Sequence, residues 1–373
     1  MRRIIVALAA MACALFAWTG IATAAGRAGD AIEGSYIVTV KSGKNPKTVA
    51  SDKRASTKFV YRDAVNGFAA QLSDAQVASL RKDSRVASVE QDRVVTADAT
   101  QANATWGLDR IDQRNRPLST TYTYTSTASN VYAYVIDTGI YTAHSNFGGR
   151  AANVYDALGG NGQDCNGHGT HVAGTIGSAT YGVAKSVRLR GVRVLNCSGS
   201  GSTSGIVAAL NWLRTNAARP AVANMSLGGG YSSTLNSAAA NLANSGVFLA
   251  VAAGNENQNA CNVSPASAAS VFTTASSTST DAKSSFSNWG SCVEAYAPGS
   301  SITSTWNNGG YNTISGTSMA SPHVAGVAAL YKGNYGDAAS STINSWLINN
   351  ATTGVITGNP SGTPNRLLYK SGL

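Results

Sequence analysis

The stretch Gly-Thr-Ser-Met-Ala-Ser-Pro-His runs from Gly316 to His323 and is followed at once by an apolar run, Val324 to Leu330. This pattern predicts a helix that begins at the serine of the stretch, Ser318. A helix N-terminus carries unpaired N–H groups and a partial positive charge, so it suits a nucleophile whose reaction develops an oxyanion. Serine is also a common helix N-cap, and the stretch alone leaves both roles open.

Two further segments favour catalysis over capping. Val-Ile-Asp-Thr-Gly at 135–139 is typical of a buried strand that ends in a carboxylate. Asn-Gly-His-Gly-Thr-His-Val-Ala-Gly at 166–174 places a histidine at a glycine-rich helix start. The order along the chain is therefore Asp137, His168, Ser318. Subtilisin has this order, whereas chymotrypsin and the α/β-hydrolases have others.

On these three motifs the chain resembles the subtilisin-like serine proteases, and within them the branch that includes proteinase K and aqualysin. The resemblance covers roughly Gly34 to Tyr369. It implies a secreted endopeptidase in which Ser318 attacks the scissile carbonyl, His168 transfers the proton and Asp137 orients the imidazole. It also makes Asn255 the side-chain donor of the oxyanion hole.

Two other classes of function are disfavoured. A zinc peptidase would need His-Glu-x-x-His, whereas His168 and His171 are three residues apart with no glutamate between them. Of the four histidines, which include His144, only His168 matches the base of the family, and we expect His171 and His323 to be packed or helix-terminal residues. A catalytically inactive relative that serves as a binding or structural protein is the alternative function, and the presence of all four catalytic residue types counts against it.

Substrate binding is expected to use backbone more than side chains. Two glycine-containing segments resemble the strands that flank an extended substrate in this family, although a turn or bulge also explains such glycines. A third segment resembles a wall of the S1 pocket. None of the three carries an acidic residue, which predicts broad specificity with an apolar or aromatic P1 residue. The predicted substrate-binding residues are Gly199, Ser200, Gly201, Ser226, Leu227, Gly228, Ala252, Ala253 and Gly254.

Calcium is the predicted metal, in a structural role. A cluster of hard oxygen ligands lies within a short span, although ion pairing with neighbouring arginines and helix capping are the alternative. The resemblance to aqualysin matches this cluster to a calcium site. A second family site would use backbone oxygens near Ala269 and Val271 with an acidic side chain, which is aspartate in proteinase K and Glu294 here. The ligands predicted for the first site are Asp109, Asp112, Gln113, Ser119 and Thr121.

Four cysteines remain once the predicted leader is removed. An even number in an exported chain indicates disulfides, and the sequence alone allows three pairings. The resemblance favours Cys165–Cys197 and Cys261–Cys292. The absence of a Cys-x-x-Cys pair argues against a cysteine metal site.

Residues 1–24 are predicted to be a secretory signal. Arg2 and Arg3 precede an apolar stretch, and Ala-Thr-Ala at 22–24 forms a small-residue cleavage site. Cys13 lies within the apolar stretch and is not expected to anchor lipid. No later stretch approaches the ~20 apolar residues of a membrane span. We therefore expect an exported monomer that is free of the membrane.

Residues 25–98 are predicted to form a small α+β unit, with strands at 35–40 and 86–90 and a helix at 72–80. The unit resembles the subtilisin propeptide, which assists folding, acts as a transient inhibitor and is then removed. A permanent small domain, or an inhibitor fused to a carrier, is the alternative. The junction at 94–101 is polar and without regular pattern, as a cleavable linker should be. The resemblance to aqualysin implies that the mature catalytic domain is 99–373, which acts on protein and peptide substrates.

The charge of the chain gives no support to nucleic-acid binding. The net charge of +10 divides evenly, because 1–98 and 99–373 each carry 14 Lys and Arg against 9 Asp and Glu. No basic cluster is interleaved with aromatic residues. Charged residues make up only 12 % of the chain, which is typical of a compact protein.

Apolar strands alternate with helical stretches through the predicted catalytic domain. This order predicts an α/β fold with three layers, in which a mainly parallel sheet is flanked by helices. Ligand sites in such folds lie at the carboxyl ends of strands, where Asp137 and Asn255 fall. The serine-rich stretch 276–285 is predicted to be a connection. The predicted strands are 133–137, 187–195, 221–227 and 247–253, and the predicted helices are 168–178, 204–217, 233–245 and 318–332.

Overall fold

The computed structural model describes residues 31–93 and 99–373, which form two compact units. The predicted leader at 1–24, with Cys13, lies outside the described residues, as does most of the predicted junction, so the cleavage site before Ala99 stays a prediction. No helix within 31–93 or 99–373 combines the length and the apolar character needed to cross a bilayer.

The amino-terminal unit is a four-stranded antiparallel sheet in the order β2-β3-β1-β4 with two helices packed on it. Helix α2 begins at Asp74, two residues after the predicted start, because Ser73 and Gln76 form a capping box in which each side chain bonds the other's backbone N–H. The elements are β1 Ala31–Val40, α1 Pro46–Asp52, β2 Ser56–Tyr61, β3 Gly67–Gln71, α2 Asp74–Arg81 and β4 Val86–Arg93.

The carboxy-terminal unit alternates strands and helices. Its helices are α3 Trp106–Asp112, α4 His168–Gly177, α5 Thr203–Asn216, α6 Ser233–Asn244, α7 Thr317–Tyr335 and α8 Ser340–Asn350, with short 3₁₀ helices at Ser145–Phe147 and Ala260–Asn262. Its strands are β5 Ala99–Ala102, β6 Thr121–Tyr124, β7 Tyr132–Asp137, β8 Ala151–Asp156, β9 Arg188–Arg193, β10 Ala221–Met225, β11 Gly229–Gly230, β12 Phe248–Ala252, β13 Val263–Ser264, β14 Phe272–Ser277, β15 Ala295–Pro298, β16 Ile302–Thr305, β17 Tyr311–Ile314, β18 Thr352–Thr353 and β19 Arg366–Leu367.

Nine of these strands form the central sheet, in the order β18-β19-β15-β14-β12-β10-β7-β9-β8. All neighbouring pairs in it are parallel except β18 with β19 at one edge. Alternate residues of β7 face opposite layers: Ala133 and Val135 pack with α4, α7 and α8, and Tyr134 and Ile136 pack with α5 and α6. The predicted three-layer α/β fold is confirmed.

Helix α7 lies at the centre of the first layer and is buried along most of its length. It continues through Pro322, which has no N–H and so cannot bond the carbonyl of Ser318 four residues earlier. The hydroxyl of Ser226, just after β10, donates to that carbonyl instead, at 2.7 Å. Because of Pro322, the carbonyl of the predicted nucleophile Ser318 lacks its helical donor, and Ser226 at the end of β10 supplies one instead.

The prediction that 276–285 is a connection is wrong at its start. Ser276 and Ser277 belong to β14, which is buried along its whole length. The sequence Phe-Thr-Thr-Ala-Ser-Ser shows no apolar run because small and hydroxyl side chains fill the space beside α7. The disulfides are the pair that the resemblance implied, Cys165–Cys197 and Cys261–Cys292.

Candidate active site

Asp137 is the last residue of β7 and is fully buried. Its Oδ1 accepts hydrogen bonds from the Nδ1 of His168, at 2.8 Å, and from the backbone N–H of Thr138, at 2.7 Å. His168 is the first residue of α4, and its side chain is 25 % exposed. The imidazole is thus held at Nδ1 by a buried carboxylate, which leaves Nε2 to accept a proton.

The pKa of His168 reflects opposing effects. Burial lowers it, but the charge and the hydrogen bond of Asp137 and the charge of Asp164 raise it, and the resulting pKa lies above the ordinary value for histidine. Asp137 therefore stabilises the imidazolium that a general base forms when it takes a proton.

Two glycines of the motifs allow the strand end and the helix start to meet. A Cβ atom at Gly139 would lie 2.1 Å from the carbonyl oxygen of Gly162, and one at Gly169 would lie 2.2 Å from the carbonyl oxygen of Gly139. Neither position has space for a side chain. The glycines that follow Asp137 and His168 are therefore the points at which the two loops pack on each other.

Ser318 lies in the first turn of α7. Its Oγ donates to the carbonyl of Ser226 at 3.2 Å. Among the described residues the hydroxyl makes no other hydrogen bond, so it is not bonded to the imidazole of His168. The two serines hold each other, since the hydroxyl of each donates to the carbonyl of the other.

Asn255 follows β12, and its orientation is fixed by Thr317. Its Oδ1 accepts hydrogen bonds from the N–H of Thr317, at 2.8 Å, and from the Thr317 hydroxyl, at 2.9 Å. The hydroxyl in turn accepts from the N–H of Gly254, at 3.1 Å. The Nδ2 of Asn255 is left as a donor beside the start of α7. Sequence reasoning missed Thr317, although it precedes the nucleophile in the quoted motif.

Two adjoining clefts lie on either side of Leu227 and Gly228, which line both. The first, of about 380 Å³, contains Ser318, Thr317 and Asn255. The second, of about 440 Å³, contains His168. Of the residues predicted to bind substrate, Ala252 and Gly254 line the first cleft, and Gly199, Ser200, Gly201 and Ser226 line the second. Ala253 is buried.

An acidic residue lines the first cleft, which the sequence argument did not include. Glu256 follows Asn255 directly, and its Oε2 accepts a hydrogen bond from the Nδ2 of Asn288 at 2.8 Å. The three segments predicted to bind substrate contain no acidic residue, but Glu256 lies two positions after Gly254, where the third segment ends.

The remaining histidines are buried and bonded to backbone. His144 contacts the carbonyl of Gly310 through Nε2, at 2.8 Å. His171 reaches the carbonyl of Ile302 through Nε2, and His323 that of Met319 through Nδ1. Burial lowers the pKa of His171 and of His323 to about 4. Both are therefore neutral in ordinary buffers.

Four of the five residues predicted for the first calcium site come together. The Oδ1 of Asp109 accepts from the hydroxyl of Ser119 at 3.0 Å, that hydroxyl lies 2.8 Å from the hydroxyl of Thr121, and the Oε1 of Gln113 accepts from the N–H of Ser119 at 3.1 Å. Asp112 makes other contacts: its Oδ1 pairs with the ammonium of Lys370 at 3.0 Å, and its Oδ2 accepts from the N–H of Thr123 on β6 at 2.8 Å.

At the second predicted metal position the structure shows one carboxylate and no hydrogen-bonded set of side-chain oxygens like that of the first. The Oε2 of Glu294 accepts from the N–H of Thr273 at the start of β14, and burial raises the pKa of Glu294 to about 7. Ala269 lies on an exposed turn, and Val271 is buried before β14. Among the described residues, no group of three or more His, Cys, Asp or Glu converges as a metal site.

Comparison with known proteins agrees with this architecture. The model of the subtilase family matches residues 128–368, and that of the peptidase inhibitor I9 family matches residues 35–98. The chain is 55% identical over 318 residues to alkaline serine exoprotease A of Vibrio alginolyticus, which covers 83% of this chain and 59% of that protein. It is 54% identical over 314 residues to the extracellular serine proteinase of a Thermus species, covering 83% and 77% of the two chains.

A solved structure supports the same assignment. The crystal structure of a cold-adapted subtilisin-like serine proteinase matches with a TM-score of 0.71 and 54% identity, over 72% of this chain and 99% of the other. The chain therefore belongs to the subtilase family of serine endopeptidases, as a secreted member with an inhibitor-type propeptide. Members of this family generally bind structural calcium.

Proposed function

We propose that the chain is a precursor whose residues 99–373 hydrolyse peptide bonds through Asp137, His168 and Ser318. The observation that carries this proposal is the 2.8 Å hydrogen bond between His168 Nδ1 and Asp137 Oδ1. His168 lines one cleft and Ser318 lines the adjoining one, and Leu227 and Gly228 form the wall between them. The presence of Asn255, oriented by Thr317, counts against an inactive binding protein.

Acylation uses the proton of Ser318. An extended substrate pairs with the strand end at Ser226, so its P1 N–H takes the Ser226 carbonyl that the Ser318 hydroxyl occupies in the free protein. The released hydroxyl gives its proton to the Nε2 of His168 as Oγ bonds to the carbonyl carbon. The backbone N–H of Ser318 and the Nδ2 of Asn255 stabilise the oxyanion.

His168 then passes the proton to the departing amine, which breaks the peptide bond and leaves an ester on Ser318. A water molecule that loses its proton to the same Nε2 attacks this ester, and the proton returns to Ser318 Oγ as the acid leaves. Asp137 stays ionised throughout and stabilises the imidazolium in both halves of the reaction.

Substrate selection follows from the first cleft. Its walls are mostly backbone, glycine and small side chains, which supports broad specificity with apolar or aromatic P1 residues. Glu256 adds a carboxylate to this cleft, so we infer that cationic P1 residues are also accepted.

The proposed precursor is processed by its own active site. Residues 35–98 match an inhibitor family, which supports a propeptide that blocks the enzyme until it is cut near Ala99. The start of the mature chain at Ala99 and removal of the leader at residue 24 are parts of this proposal.

We infer that structural calcium is held by the loop from Asp109 to Thr121. A carboxylate, an amide oxygen and two hydroxyls gathered by hydrogen bonds form the oxygen-rich set that calcium prefers. Asp112 is not part of this hydrogen-bonded set, since it pairs with Lys370 and accepts from the N–H of Thr123. At the second position, a cation would stabilise the charged form of the buried carboxylate of Glu294.

The proposal is tested by intact-mass analysis of secreted wild-type and Ser318→Ala proteins, each before and after a fluorophosphonate probe. We expect the wild type to lose about the first 98 residues and to gain one probe on Ser318, and the variant to do neither. A processed, folded wild type that takes up no probe would favour the inactive binding protein. Processing of the variant in a host without other proteases would contradict self-cleavage by Ser318.

A further inference from the structure

Asp164 is a buried carboxylate that precedes α4 and accepts five hydrogen bonds. It is 7% exposed. Its Oδ1 accepts from the Thr138 hydroxyl and from the N–H groups of Asn166 and Gly167, each at 2.9 Å. Its Oδ2 accepts from the N–H of Thr170, at 2.9 Å, and from the Thr170 hydroxyl, at 2.6 Å. None of these donors carries a positive charge, so the carboxylate is satisfied by neutral donors alone and has no ion-pair partner among the described residues.

These bonds join the surroundings of two catalytic residues. Thr138 is the neighbour of Asp137, and its hydroxyl both donates to Asp164 and accepts from the N–H of Gly169, at 2.9 Å. Gly167 and Gly169 flank His168 on the chain. One carboxylate thus ties the end of β7 to the first turn of α4, across the bond between Asp137 and His168.

We propose that Asp164 is a positioning residue for the catalytic histidine, because it holds both the Thr138 hydroxyl and the first turn of α4 in place. The inference rests on the triad proposed above. It assigns to Asp164 two effects, an orientation effect through Thr138 and Thr170 and a charge effect on the imidazole. A loop residue with only a folding role would have neither.

The charge effect can be separated from those of the other nearby groups. Asp137 is the larger of the two carboxylate influences that raise the pKa of His168. His171 and His323 are neutral because burial lowers their pKa to about 4. Arg193 pairs with Asp156 at 3.4 Å. The histidines and charged groups on the elements packed around His168 are thus Asp137 on β7, Asp164 before α4, His171 on α4, His323 and Lys332 on α7, and Arg188, Arg190 and Arg193 on β9.

Asp156 provides a matched control. It is a carboxylate whose side chain is 5% exposed, and it accepts from the N–H groups of Leu158, Gly160 and Gly162. Like Asp164 it closes a loop through backbone donors. Its hydrogen-bond partners lie in the loop after β8 and on β9, so its loss weakens the loop that carries Asp164 without removing a bond to Thr138 or to α4.

The test compares Asp164→Asn, Thr170→Val and Asp156→Asn with the wild type. Active sites are first counted by fluorophosphonate uptake, so that kcat refers to folded enzyme alone. The profile of kcat/KM against pH is then measured with a peptide substrate, because its acid limb reports the pKa of the free enzyme's base.

For Asp164→Asn we expect the acid limb to move to lower pH and kcat to fall by about 10-fold or more, since a 1 Å misplacement of a reacting group can cost ~10²-fold. KM should change little, because Asp164 lines neither cleft. Thr170→Val keeps the charge, so kcat should fall while the acid limb stays in place. Asp156→Asn should lower the melting temperature but leave both quantities at the wild-type values.

The proposal is overturned if Asp164→Asn keeps the wild-type acid limb and kcat per labelled site, or changes them only as Asp156→Asn does. If Asp164→Asn yields no folded protein, Thr170→Val decides alone, and an unchanged kcat then rejects the positioning role. Uptake of the probe on Ser318 by the wild type keeps these outcomes distinct from a failure of the proposed endopeptidase function.

Discussion

Ser318 and Ser226 form a reciprocal pair, in which the hydroxyl of Ser226 donates to the carbonyl of Ser318 at 2.7 Å and the hydroxyl of Ser318 donates to the carbonyl of Ser226 at 3.2 Å. The first bond exists because Pro322 cannot serve that carbonyl. It ties the nucleophile's backbone to the strand end on which substrate is proposed to pair. In the proposed reaction, substrate displaces the second bond.

Replacement of Ser226 by alanine should therefore weaken the fold and the nucleophile together. The carbonyl of Ser318 loses its donor in a buried setting, which costs about 1–3 kcal/mol. We expect a lower melting temperature and a lower kcat, with KM nearly unchanged because the backbone of residue 226 still pairs with substrate. Ser200→Ala is the control, since Ser200 lines the same cleft but is exposed. Equal behaviour of the two variants would contradict the coupling.

The fold and the proposed triad could be predicted from the motifs because these contain residues that make close backbone contacts as well as the reactive side chains. Gly139 and Gly169 are conspicuous in the sequence and prove to be contact points between loops. The donors to the Ser318 carbonyl and to Asn255 could not be inferred in this way. They depend on which acceptor a proline leaves open and on the distance between α7 and the ends of β10 and β12, which only the packed chain sets.

The predicted loop cluster shows the same limit. The cluster of oxygen-bearing side chains at 109–121, together with the family resemblance, predicted the site, and hydrogen bonds join four of the five predicted residues. The ion pair between Asp112 and Lys370 could not be read from the sequence, because Lys370 lies at the far end of the chain.

The pH dependence of activity follows from the pair of Asp137 and His168. The base must be neutral to accept a proton, and its pKa lies above the ordinary value. Activity should therefore fall with acid over a range that lies above that ordinary value. Asp137→Asn removes the main charge that raises this pKa, so the acid limb should move to lower pH while kcat drops by about 10⁴-fold through loss of the productive tautomer. An acid limb that stays in place would show that another group controls the profile.

Glu256 should tune the choice of P1 residue. A carboxylate exposed at a cleft attracts a cationic side chain by about 0.2–1 kcal/mol. We expect Glu256→Gln to lower kcat/KM for P1 lysine and arginine peptides by about 2- to 5-fold, with little change for P1 phenylalanine. The difference should shrink in high salt, which screens exposed charges. Equal losses on all three peptides would instead indicate damage to Asn255 next to it.

Calcium removal separates the two predicted metal positions, and the measurement is made on Ser318→Ala protein so that self-digestion does not interfere. A ligand present at 100 times its Kd stabilises the folded state by about 2.7 kcal/mol, which corresponds to about 5–10 °C in melting temperature for a domain of this size. We expect a chelator to lower the melting temperature by that amount.

Asp109→Asn should abolish most of the increase in melting temperature that calcium produces, whereas Glu294→Gln should remove only the part of that increase due to the second metal position. The readout is the difference with and without calcium, because Asp109 also accepts backbone hydrogen bonds from Ser119 and Thr120 and its replacement lowers stability in either buffer. A full calcium response in Asp109→Asn would reject the loop as a metal site. In that case the hydrogen bonds of Asp109 to this loop would be its whole contribution to the fold.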